Sequence, residues 1–161
     1  MRPTSRQLQI DSAPIALSLE ELPDSAQIAV EILAQKSCDC LSHFQDSLSL
    51  FLQEANVSLA KIKSDSSLEH PADLLQQIVH HPQLSAALSF GQCLSIAQSQ
   101  SPELLASIQA KQNQQLPLQE LLKLELPLIE EQMAQSCPKQ QPLFKAFNEF
   151  GQAMNSFQKG Q

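Results

Sequence analysis

The sequence contains no tryptophan and no tyrosine, and only three valines and one threonine. Strands draw on β-branched and aromatic residues, so there is little here to build a sheet from. Three glycines leave hairpin turns scarce. Arginine is nearly absent too: Arg2 and Arg6 both fall in the first six residues. Residues 11–161 hold 8 lysines against 17 acids, a balance of −9. Such a body lacks the basic face that phosphate neutralisation requires, which excludes nucleic-acid binding. An anionic membrane surface repels it for the same reason.

No apolar run approaches the ~18 residues of a membrane-spanning helix, so membrane insertion is excluded as well. The opening MRPTSRQLQIDSAP has no apolar secretory core. The four cysteines are therefore expected as reduced thiols in a cytoplasmic protein, with secretion lacking a cleavable signal as the other route. Asn56-Val57-Ser58 then matches a glycosylation sequon only formally.

What the chain does have is 26 Leu, 16 Ala and 24 Gln in 161 residues. These are helix formers, and Leu, Ile, Val and Phe together reach 28 %, enough for a packed core. The expectation is an all-α fold: an irregular bundle of four to five unequal helices around a long first helix. A mobile, extended N-terminal arm over 1–22 precedes a single helical domain over 23–161. The arm carries Leu8, Ile10, Ile15, Leu17, Leu19 and Leu22, so part of it is expected to lie on the body or on a partner.

Asp24 or Ser25 caps the first helix, which runs to about Lys63. Its apolar stripe is Leu33, Ser37, Cys40, Phe44, Leu48, Phe51, Ala55, Leu59 and Ile62. The spacing repeats every eleven residues, close to three whole turns, so the stripe stays on one side of a nearly straight helix. A second, weaker stripe of Ile28, Ile32, Leu50 and Val57 lies roughly 120–140° away. A helix apolar on two sides has two neighbours, or one neighbour and a partner.

Prolines mark the remaining boundaries. Pro71 opens a helix that Pro82 breaks or kinks, and Ser101-Pro102 opens a short one. Pro117 opens the next, which Pro127 should kink. Residues 74–102 contain no Asp, Glu, Lys or Arg, as suits helices covered by neighbours or by another subunit. Cys137–Pro142 reads as a linker whose two prolines uncouple the last helix, from about Leu143 to Lys159. That helix is the cleanest amphipathic segment, with Phe144, Phe147, Phe150, Met154 and Phe157 on one face.

Catalytic patterns are weak. Cys38, Cys40 and His43 invite a metal or thiol reading, with His80, His81 or Cys93 as further ligands. Residues two apart on a helix diverge by about 200°, so Cys38 and Cys40 cannot share one ion or one disulfide. The simpler reading has Cys40 in the core, Cys38 at its rim and His43 solvated. Of His80 and His81, one is expected buried at the Pro82 kink and one exposed. Ser58–Lys61 and Ser136–Lys139 match S-x-x-K without the helix start or companion motifs that acyl transfer needs. The pairs Glu20–Glu21, Glu130–Glu131 and Glu120/Glu125 are placed on polar faces or in the arm, away from any apolar pocket that would separate their pKa values. No site for a cofactor is expected.

These patterns point to a non-enzymatic helical interaction module (an adaptor, chaperone or structural component) that binds a protein partner or itself. Phe147, Phe150, Met154 and Phe157 are its expected docking residues. The mobile N-terminus before a helical body also suits the cargo or helper of a bacterial secretion system. The alternative is a thiol- or metal-dependent helical protein using Cys38, Cys40 and His43.

Overall fold

A computed structural model describes residues 13–64 and 71–159. It is 81 % helical, with no strand among the described residues. Among the described residues six α-helices follow in order: α1 Asp24–Ser64, α2 Pro71–Val79, α3 Leu84–Ser99, α4 Pro102–Ala110, α5 Leu118–Ser136 and α6 Gln141–Lys159. The break at Pro82 is complete: His81 and Gln83 lie outside helix, so α2 and α3 are separate. Pro71 and Pro102 each open a helix, where the missing N–H costs no hydrogen bond. α5 runs through Pro127 without ending.

The 41-residue α1 is the organising element, and α3, α5 and α6 all pack along it. Its main stripe is the core face: Leu33, Leu48 and Phe51 are fully buried, and Cys40, Ala55 and Leu59 nearly so. Ser37 shares that face and satisfies its buried hydroxyl by donating to the Leu33 carbonyl at 2.9 Å. α1 and α3 are antiparallel. Lys36 bonds Gln100, Cys40 pairs with Cys93, and Glu54 meets His81 just before α3 begins.

The described part of the arm is held to the body. Ile15 donates its N–H to Gln112 Oε1 at 2.7 Å and accepts from Gln112 Nε2 at 3.0 Å, so one amide satisfies both backbone groups. A 3-10 turn, Leu19–Glu21, follows, closed by reciprocal Ser18–Glu21 hydrogen bonds. Leu17 and Leu19 are half-buried, and Leu22 is buried in the core. Residues 13–22 thus touch the body at Ile15, Leu17, Leu19 and Leu22, and Arg2, Arg6, Leu8 and Ile10 lie outside the described residues.

The cysteines correct the expectation of reduced thiols. Cys38 bridges to Cys137, with Cα atoms 6.3 Å apart, and Cys40 bridges to Cys93 at 6.1 Å. The divergence of Cys38 and Cys40 around the helix is the physical reason: each faces a different neighbour, the α5–α6 junction for one and α3 for the other. The first bridge also corrects the uncoupled linker. Cys137–Gln140 is a tight turn, with Cys137 accepting from the Gln140 and Gln141 N–H groups, and its first residue is fastened to α1.

Candidate functional site

Three places in the fold hold unusual chemistry: the aromatic face of α6, a buried carboxylate on α5, and the outer face of α1.

The α6 face turns inward. Phe144 is fully buried and meets Phe90 edge-on, with ring centroids 6.3 Å apart. Phe147 packs against the same Phe90 ring at 4.7 Å, and Phe150 against Phe51 at 5.2 Å, both near-perpendicular. His81 also meets Phe51, near-perpendicular at 5.3 Å. Of the expected docking residues, Phe147 and Phe150 therefore belong to this cluster, and Met154 is half-buried beside it. The Phe157 side chain lies outside the described residues.

His81 is the more buried of its pair, with a side chain 12 % exposed; His80 points out and meets Gln76 at 2.8 Å. The Gln83 N–H donates to His81 Nδ1 at 3.0 Å. The ring hydrogen therefore sits on Nε2, where it is donated to Glu54 at 2.5 Å. This contact ties the turn at Pro82 to α1.

Glu125 overturns its placement on a polar face: it is fully buried between α3 and α5. Gln98 donates to its Oε1 at 2.9 Å, while Oε2 has no partner. Burial pushes the carboxyl up to about 7, and the Gln98 hydrogen bond offsets part of that rise. The signal was present in the sequence. Leu121, Leu128 and Ile129 are one turn away on either side, so Glu125 stands in the middle of an apolar face. Glu130 is also raised by partial burial, against the opposing pull of Lys145. A cavity of about 190 Å³ beside Gln98 is lined by Leu94, Leu122, Leu126, Phe147 and Asn148. Glu125 itself does not line it.

The Cys38–Cys40–His43 group is likewise not a thiol site. Both sulfurs are oxidised into bridges, leaving no thiolate for a metal or a nucleophilic step. Among the described residues no three His, Cys, Asp or Glu side chains converge as ligands.

The outer face of α1 is different in kind. The second stripe remains open: Ile28 is 55 % exposed, Ile32 50 %, Leu50 52 % and Val57 57 %. All four lie within about 40° of one line along the helix, at 100° per residue. The uncharged α3 beside it exposes Leu88 and Ile96. A shallow groove of about 240 Å³ separates the two helices, lined by Lys36, Asp39, His43, Ile96 and Gln100. A second groove of about 450 Å³ runs between α1 and α6, past Asp46, Gln53, Leu143 and Ala146. The open face is thus a ridge with a groove on each side. Comparisons with protein-family profiles, curated proteins and solved structures find no significant match, so this geometry alone carries the functional reading.

Proposed function

We propose that this chain is a non-enzymatic helical interaction module, an adaptor, chaperone or structural component that holds another protein on the outer face of α1. One observation carries the reading: four large aliphatic side chains at least half open to solvent, aligned on the longest helix. Isolated exposed aliphatics are ordinary, whereas two pairs of them in line over about eight turns mark a contact surface. The neutral outer face of α3 extends that surface with Leu88 and Ile96. The α6 aromatics support it from behind, since they fasten the far side of α1 to the core.

The two disulfides favour an oxidising compartment over the reducing cytoplasm suggested by the sequence. The residues that suggested a secretion-system role lie mostly outside the described part of the arm.

The test is the mass of the full chain in native extracts. A complex well above the 17.8 kDa monomer is expected. It should be reduced to monomer by Ile32→Ser with Leu50→Ser, and kept by Leu118→Ser, which alters an equally exposed leucine on α5. A monomer in wild-type extracts would sink the proposal.

A further inference from the structure

From the charges set among the exposed aliphatics, we infer that the α1 ridge takes a basic amphipathic helix of a different protein, and not a second copy of this chain. The inference rests on the interaction-module reading above and gives the partner its chemistry.

The ridge residues are Ile28, Ile32, Gln35, Asp39, His43, Asp46, Leu50, Gln53 and Val57. Their steps of three and four are those by which two helices pack along a common seam. From Ile28 to Val57 the ridge is about 43 Å long at 1.5 Å per residue. Its two ends are aliphatic, and its middle is Asp39, His43 and Asp46. Asp24 and Glu31 flank the first aliphatic pair, and both are exposed. Three lysines stand around the ridge: Lys36 shares the α3-side groove with Asp39, Lys139 shares the α6-side groove with Asp46, and Lys61 lies one turn beyond Val57. Lys36 is further engaged by Gln100. The α3 wall of the groove adds no charge. A helix lying here meets hydrocarbon at both ends and, between them, the two exposed aspartates, with the lysines set to the groove walls and not on the crest. Complementary chemistry is Leu- or Ile-like residues at the same spacing with Lys or Arg opposite Asp39 and Asp46.

The same charges disfavour a second copy. An antiparallel pairing that matches Ile28 with Val57 also sets Asp39 against Asp46 twice over. A parallel pairing in register sets each aspartate against itself. Either arrangement gathers four carboxylates at the centre of the contact, where repulsion is least screened by solvent.

The experiment is calorimetric titration of the full, disulfide-intact chain with two synthetic peptides of about 28 residues. One carries Leu at the seam spacing and Lys between; the other has Glu in place of every Lys. Saturable one-to-one binding of the Leu/Lys peptide is expected, at least tenfold tighter than the Leu/Glu peptide. Ile32→Ser with Leu50→Ser, and separately Asp39→Lys with Asp46→Lys, should each weaken it tenfold or more. Leu118→Ser should leave it unchanged, which controls for adhesion to exposed aliphatics, and Glu103→Lys with Glu131→Lys, the same charge change away from the ridge, should leave it within about twofold. Binding that ignores the ridge substitutions, or equal binding of the two peptides, would overturn the inference. So would a dimer of the chain that Ile32→Ser with Leu50→Ser dissociates. The broader reading fails separately, if native extracts hold only monomer.

Discussion

The aromatic face of α6 and the aliphatic ridge of α1 have opposite histories of exposure. The α6 face is a strong amphipathic pattern, and it packs on the chain's own Phe51 and Phe90 through a buried Phe144 and half-buried Phe147 and Phe150. The ridge is the weaker pattern, and it stays open. Pattern strength shows how well a face can bury; whether it does depends on what stands opposite. α6 is delivered to the core by a short turn and by the Cys38–Cys137 bridge. α1 has already buried one whole side, so its second stripe has no remaining element of the described chain to meet.

The largest expected effect that would break this contrast concerns the anchoring of α6 and α3. The bridges close loops with sequence separations of 99 and 53 residues. Chain-entropy arguments give each, taken alone, about 4–5 kcal/mol, and less than the sum together because one loop lies inside the other. Reduction should lower the melting temperature by roughly 10 °C or more. An unchanged melt would mean that the bridges do not hold these helices in place.

Neighbouring residues on α1 give the next test. Phe51 is fully buried and Leu50 is 52 % exposed. Phe51→Ala should cost about 3–5 kcal/mol, and Leu50→Ala should stay within about 0.5 kcal/mol, by urea denaturation. Comparable losses would place the ridge in the core.

A smaller, pH-dependent effect sharpens the picture of the α3–α5 contact. The Glu125 carboxyl is raised from 4.5 to about 7 in the folded chain, so the native state holds its proton longer than the unfolded chain. Its ionisation costs nothing below about pH 4.5 and progressively more up to about pH 7, by about 3 kcal/mol in all. Glu125→Gln keeps an oxygen for Gln98 and removes the charge. It should match wild type at pH 4 and exceed it by up to about 3 kcal/mol at pH 8. Equal stability at both pH values would show that Glu125 is hydrated.

Much of this was legible in the sequence. The eleven-residue repeat marked most of the buried side of α1 from Leu33 to Leu59, missing Leu41 and Leu52 and including the half-buried Phe44, and the prolines marked the starts of α2, α4 and α5. The second α1 stripe was visible as well. What could not be read was which amphipathic face would find cover, because that depends on pairing between elements far apart in the chain. Cysteine pairing was hidden for the same reason, since Cys38 and Cys40 point away from each other and towards partners 99 and 53 residues on. Glu125 defeats a reading by charge alone: an acidic side chain suggests a polar face, whereas Leu121, Leu128 and Ile129 one turn away set it on an apolar one.

The α1 ridge is the more open face of the molecule, and the α6 aromatics are at least half-buried. Hydroxyl-radical footprinting of the full chain, free and saturated with the Leu/Lys peptide, tests it side chain by side chain. The expected result is rapid modification of Ile32 and Leu50 in the free chain, strong protection of both on binding, and slow, unchanged modification of Phe147 and Phe150. Protection at Phe147 and Phe150, with Ile32 and Leu50 unaltered, would contradict it.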